Sequence, residues 1–352
     1  MNPTVSVFCA ALAAMVLASG LSGQNFALAK PAAVGLDSAL TAAAFRRAGE
    51  LAPLNSLLIV RDGKLVGERY YRGLTRERAV NVKSASKSVL NALIGIAVQQ
   101  GKLRLDQTVG EVFSADVTRE LDPRTRVITI RQLMMMKAGL ESTSFDNHGA
   151  WVNSRNWVRN ALQRPFTCAP DTCMVYSTGN THLLSVILTR ATGLSTRDFA
   201  NRYLFGPLGT QIGGWTRDPQ GFYLGGNEMN LTPRQLLRLG QLYLDGGKAN
   251  GKQLLTPEWI RDSWGEYATS PWNGHRYGLL WWSRNSGPYK VHFAWGYGGQ
   301  FIFVVPELKL VAVMTSGLTA SRNGRHNDAL HRLVDEYIIP AVRDGLPSPE
   351  SS

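Results

Sequence analysis

The stretch from Ser84 to Gln100 constrains this chain more than any other. Its apolar residues fall on almost every face of a helix, and Gly101 stands where a left-handed residue would end it. A helix without a polar face cannot lie on a surface, so the fold has to be built around it. The chain is long enough to do so. Its 352 residues, 44% hydrophobic, suffice for one large domain or two ordinary ones. The same composition excludes a disordered chain, and three Cys residues are too few for a disulfide scaffold.

The segments around this helix change character along the chain. Leu36 to Leu51 has helical spacing, and Asn55 to Gly73 reads as a hairpin turning at Asp62-Gly63. Helical periodicity then dominates: Ile130 to Lys137, Trp151 to Leu162, Thr181 to Ala191, Ser195 to Tyr203 and Thr232 to Leu244. Strands return at Tyr277 to Trp282, Phe301 to Val305 and Leu310 to Thr315, followed by an amphipathic helix over His326 to Ile339. Strands at both ends of a helical middle predict an α+β fold whose sheet is closed by distant parts of the chain. The sheet part is expected at about 36–83 and 250–345, and the helical part at about 84–249. Residues 346–352 read as a flexible tail.

Residues 1–29 contain no Lys, Arg, Asp or Glu, and Val5 to Leu21 is apolar and Ala-rich. With Ala27-Leu28-Ala29 behind it, this reads as a secretory signal peptide cleaved after Ala29. The apolar run is shorter than the roughly 18–20 residues of a membrane-spanning helix, so no stable span is expected after its removal. Cleavage leaves 352 − 29 = 323 residues at 30–352 and places the protein in the periplasm or outside the cell. It also leaves Cys168 and Cys173, either a local disulfide or two reduced thiols. The net charge of +12 first suggests nucleic acid. It is scattered, however, without a basic block or a nucleic-acid motif, and reads as the surface of a protein working near an anionic envelope.

Chemistry concentrates at the start of the apolar helix. In Ser84-Ala85-Ser86-Lys87, three residues of helix put Ser84 and Lys87 on one face. A serine hydroxyl needs a base, and a lysine entering an apolar helix has its charged form disfavoured. The helix start also offers a backbone N–H where an oxyanion would form. Taken alone, the pattern equally describes a Ser N-cap beside an exposed Lys. Two further stretches accompany it: Tyr176-Ser177-Thr178-Gly179-Asn180 before an apolar helix, and Trp295-Gly296-Tyr297-Gly298-Gly299-Gln300 before the strand at Phe301.

This order of motifs resembles the serine β-lactamase and penicillin-binding-protein superfamily, in its class C β-lactamase-related branch of esterases, DD-peptidases and 6-aminohexanoate-dimer hydrolases. Ile130 to Met136, Gly139-Leu140-Glu141, Leu231-Thr232-Pro233-Arg234 and Tyr277 to Trp282 look like the same branch. The resemblance implies a β-lactamase/transpeptidase-like fold, an antiparallel sheet flanked by helices with a mostly helical subdomain inserted. It implies Ser84 as the acylated nucleophile. Lys87 would be its base, or the residue that holds Tyr176 reactive. Tyr176, its phenol lowered by a nearby cation, would relay the proton. The N–H groups of Ser84 and Tyr297 would form the oxyanion hole, and Thr178, Trp295, Gly296 and Tyr297 would contact substrate. No cofactor and no metal are implied.

Two departures shape the expected substrate. Thr178 stands where the family often has Asn, and Asn180 lies two residues on; the sequence leaves open which serves. Ala294-Trp295-Gly296 stands where β-lactamases and transpeptidases carry Lys-Thr-Gly or His-Thr-Gly, so the cation for a substrate carboxylate is absent there. His292, on the same strand face as Ala294, is a partial substitute or an ordinary strand residue. Arg284 and Lys290 are other candidates. Trp281, Trp282, Trp295 and Tyr297 are available for an apolar acyl pocket. The expectation is a secreted serine hydrolase acting on small neutral esters, amides or peptides. The alternatives are a β-lactamase or DD-peptidase, or a catalytically silent binder of an envelope ligand. No nucleic-acid partner is expected, and the oligomeric state is left open. No nucleophile elbow, metalloprotease His pair or Walker pattern points elsewhere.

Overall fold

Asp62 and Gly63 both take positive φ, 49° and 69°, the backbone a two-residue hairpin turn demands. They join β1 (Leu54–Arg61) to β2 (Lys64–Tyr70). The computed structural model describes residues 26–116, 121–318 and 324–343. The expected signal peptide up to Asn25 and the tail at 346–352 lie outside the described residues. Six more strands follow late in the chain: β3 (Ala268–Thr269), β4 (Arg276–Tyr277), β5 (Trp282–Ser286), β6 (Tyr289–Gly296), β7 (Gln300–Val305) and β8 (Leu310–Ser316). All eight form one antiparallel sheet in the order β2-β1-β8-β7-β6-β5-β4-β3. The early hairpin therefore closes on the last strand. Ser56 and Thr315 face each other there, their hydroxyls 2.6 Å apart.

Every residue of β7 and β8 is buried, because helices cover both faces. Gly67 of β2 takes α1 (Ser38–Glu50) on one face; a Cβ at Gly67 would sit 2.7 Å from the Phe45 ring. The other face takes α4 (Pro233–Leu244), where Gly240 approaches Val311 and Ile302 as closely. Beyond it lies α2 (Ser86–Gln99), the apolar helix of the sequence, buried at every position from Ser86 to Ala97. It packs against α3 (Thr178–Thr192) and against β6. Its middle is fixed by α5 (Pro257–Ser263): Trp259 fills the space beside Gly95. The buried carboxamide oxygen of Asn91 accepts from Tyr243, from Trp259 Nε1 at 3.1 Å and from Ser263 Oγ at 3.1 Å. No helix of the described residues is long and apolar enough to cross a membrane.

Several elements differ from the sequence expectation. The helix expected over Trp151 to Leu162 is two, His148–Val152 and Trp157–Leu162, because the Asn156 side chain caps the second by accepting from Arg159 N at 2.9 Å. The strand expected over Tyr277 to Trp282 is broken between β4 and β5. Leu280 takes φ 59°, and the carbonyls of Leu279 and Leu280 accept from Asn91 and Ser88 of α2. Those tertiary bonds outweigh the apolar pattern that reads as a continuous strand. The last helix runs as α6 (Arg325–Leu333) and continues as a wider π-type turn over Val334–Ile338.

Candidate active site

Ser84 does not cap α2. It sits on a tight 3₁₀ turn, Lys83–Ala85, that leads into it. Lys83 enters that turn at φ 49°, and its N–H donates to Asn81 Oδ1 at 2.9 Å. Its ammonium pairs with Glu228, which also accepts from Asn81 Nδ2 at 2.6 Å. The turn before Ser84 is thus tied to the segment around Glu228. Lys87 is one turn on, and its Nζ lies 3.2 Å from Ser84 Oγ. It also donates to the Gly226 carbonyl at 2.8 Å and meets Thr178 Oγ1 at 3.3 Å. Among the described residues no carboxylate pairs with it. Burial alone pushes the Lys87 ammonium down to about 7, where much of it is the free amine at neutral pH.

A second helix start brings the next group. Tyr176 precedes α3, with its phenol near the Ser84 hydroxyl. The Lys87 ammonium lies 5.0 Å from the centre of its ring. The phenol is not lowered, contrary to the sequence expectation. It is buried, and that pushes it up, outweighing the opposing influence of the Ser84 hydroxyl. Thr178, the first residue of α3, faces Lys87, and its hydroxyl and N–H meet Ser144 Oγ at 2.9 and 2.8 Å. Asn180 turns away toward Met136, its Nδ2 3.9 Å from the sulfur. Of the two candidates for the Asn position, Thr178 is the one at the lysine.

The third wall is the end of β6. Gly296 lies so close to the Ser84 turn that a Cβ there would stand 2.2 Å from the Val82 carbonyl and 3.1 Å from Ala85 N. Any side chain would push the strand off the turn. Trp295 is half-buried and Tyr297 is exposed. Trp282 stacks on Tyr176, their rings 5.9 Å apart, and meets Trp295 at 5.6 Å. Trp281 points into the core, against Tyr243 and Trp264, and is no part of this wall.

The substitute cations fail on placement. His292 stacks on Trp264 at 4.2 Å, and burial pushes it down to about 3, so it is neutral. Arg284 is bonded to Asp335 and His331, and Lys290 to Glu266. Cys168 and Cys173 are joined by a disulfide in the loop that leads toward Tyr176. Sequence reasoning missed Gly226, whose carbonyl reaches Lys87 from 139 residues away. Its one trace in the sequence is the Gly225-Gly226 pair. A Cβ at Gly225 would lie 1.9 Å from the Thr181 carbonyl, and one at Gly226 2.6 Å from Lys87 Cγ.

Residues 48–336 match the family described as Beta-lactamase. The chain belongs to that family, within the serine β-lactamase and penicillin-binding-protein superfamily. It is similar to the 6-aminohexanoate-dimer hydrolase of Paenarthrobacter ureafaciens, 22% identical over 219 residues. That match covers 58% of this chain and just over half, 56%, of the hydrolase. Two solved structures share the β-lactamase fold. EstCE1, a hydrolase with promiscuous acyltransferase activity, superposes with a TM-score of 0.70 at 17% identity, covering 85% of this chain and 100% of that one. A penicillin-binding protein homologue from Caulobacter crescentus gives 0.66 at 16% identity, covering 83% and 97%. At such identities these likenesses show the fold alone. The family is one of serine hydrolases.

Proposed function

We propose that this is an exported serine hydrolase that forms an acyl-enzyme on Ser84 and acts on neutral esters or amides. The observation that carries it is Lys87, buried beside Ser84 and held near pKa 7. The free amine takes the Ser84 proton as Oγ attacks the carbonyl carbon. The oxyanion forms toward the N–H groups of Ser84 and Tyr297, which the close approach of Gly296 brings to the same turn. As the bond to the leaving oxygen or nitrogen breaks, the Tyr176 hydroxyl gives it a proton and recovers one from the Lys87 ammonium. Water then attacks the acyl carbon as the Lys87 amine takes its proton, and that proton passes to Ser84 Oγ as the acyl bond breaks, releasing the carboxylic acid and restoring the serine. A protonated phenol suits the donor, and the freed amine suits the base, so each of the two groups has one role.

Export is supported by the leader pattern and the Cys168–Cys173 bond. A neutral substrate is supported by the fixed partners of His292, Arg284 and Lys290, so that none of these three is free to serve as the cation beside Ala294-Trp295-Gly296. The test compares p-nitrophenyl butyrate with nitrocefin in wild type and Ser84→Ala. The proposal requires ester turnover that Ser84→Ala abolishes, with poor nitrocefin turnover. Efficient nitrocefin hydrolysis would make the protein a β-lactamase. Turnover no faster than in buffer alone for both proteins would leave a catalytically silent binder, and protein-dependent turnover unaffected by Ser84→Ala would overturn Ser84 as the nucleophile.

A further inference from the structure

Two large rings beside the candidate site are held out in solvent where the chain has to be constrained to keep them. Phe145 is 64% exposed and Trp272 is 52% exposed. Scattered exposed apolar residues are ordinary on any surface, but these two touch, their centroids 5.4 Å apart in an edge-on arrangement. Each also meets the Tyr176 ring, at 6.0 and 5.9 Å. They come from separate parts of the chain. Trp272 stands on the loop between β3 and β4, which closes through Ser270 N to the His275 carbonyl and through Gly274 at φ 70°. Phe145 follows a segment laced to the start of α3: Ser142 Oγ donates to the Tyr176 carbonyl, and Ser144 Oγ accepts from Thr178 N. Asn147 Nδ2 then donates to the Ser142 carbonyl at 2.9 Å, and Phe145 itself sits at φ 54°. A bulky residue rarely adopts that backbone, and it persists only where the surroundings impose it.

The elements that hold Phe145 over Tyr176 are therefore the same ones that set Tyr176 and Thr178 against Ser84 and Lys87. We propose that Phe145 and Trp272 form an aromatic clamp for the leaving-group side of the substrate, selecting esters or amides whose alcohol or amine part carries an aromatic ring. The assignment rests on the reading of Tyr176 as the donor to the leaving atom. Both rings border Tyr176, so a ring bonded one carbon beyond that atom is the group the Phe145–Trp272 pair is placed to take, with aromatic faces and edges offered together. An ethyl group in the same place has no face to offer and covers neither ring.

The clamp is tested with benzyl acetate and ethyl acetate, followed by acid release in wild type, in Phe145→Ala/Trp272→Ala and in Phe145→Tyr/Trp272→Phe. The ratio of kcat/KM for benzyl over ethyl falls about tenfold in the alanine pair and recovers in the aromatic pair. An unchanged ratio in the alanine pair overturns the clamp. Calorimetry of benzyl acetate with Ser84→Ala separates this from the hydrolase reading. If no variant hydrolyses either ester, the hydrolase reading has failed and binding alone decides. Affinity about tenfold weaker when both rings are removed supports the clamp, and equal affinity overturns it.

Discussion

At the scale of single residues, burial moves Lys87 and Tyr176 in the same sense, toward the uncharged form, and the proposed division of acid–base work rests on that. Lys87 is lowered from 10.5 to about 7, and Tyr176 is raised. A folded-state pKa below the unfolded one means that the unfolded chain binds more protons between about 7 and 10.5. Stability contributed through Lys87 therefore rises with pH across that window and is lowest at or below 7. Lys87→Met removes the term, so its melting temperature relative to wild type should be higher at pH 7 than at pH 10; a difference independent of pH would count against the lowered lysine. Tyr176→Phe tests the other partner. An ethyl ester needs its leaving oxygen protonated, and its kcat should fall about 10²–10⁴-fold. A p-nitrophenyl ester leaves as a stable phenolate and should lose much less. Equal losses would remove Tyr176 from the donor role.

At the scale of elements, close approaches by glycine hold the candidate site together. In Gly296→Ala the new methyl meets backbone at Val82, which cannot rotate away. Strand β6 should shift from the Ser84 turn and kcat should fall about 10²-fold, while thermal unfolding remains cooperative. Gly95→Ala offers a contest of magnitudes. Helix propensity favours alanine by about 1 kcal/mol, but the Cβ would stand 2.4 Å from the Trp259 ring, and overpacking costs about 1–3 kcal/mol. Denaturant titration should show net destabilisation. The sequence announces α2, the Asp62-Gly63 hairpin and the short run from Ser84 to Lys87, since each is written in local pattern. It cannot announce the break at Leu280, which exists because Ser88 donates to its carbonyl and Asn91 to that of Leu279. Nor can it show the Gly226 carbonyl at Lys87, a backbone contact with no side-chain signature, or the direction in which burial moves Tyr176.

At the scale of the whole molecule, the sheet is completed by strands from opposite ends of the chain, while the Ser84 turn and the start of α3 come from the stretch between. Pairing β1 with β8 joins Ser56 to Thr315 and clamps the sheet around the helices. Ser84 and Lys87 then approach from the turn into α2 and its first residues, Tyr176 and Thr178 from the start of α3, and Gly296 from the end of β6. That convergence was legible in the order of the motifs, and the all-round apolar helix required it, because such a helix can only be central. What the sequence could not carry is the Phe145–Trp272 pair, two isolated aromatics until folding brings them together. The central claim is that Lys87 serves Ser84 as a neutral amine. It is tested most directly by intact-mass measurement of phosphonylation by a fluorophosphonate between pH 5 and pH 9. The account predicts a single adduct, absent in Ser84→Ala, whose rate rises with pH and inflects near 7, where Lys87 loses its proton. A missing adduct, or a rate with no inflection in that range, would contradict it.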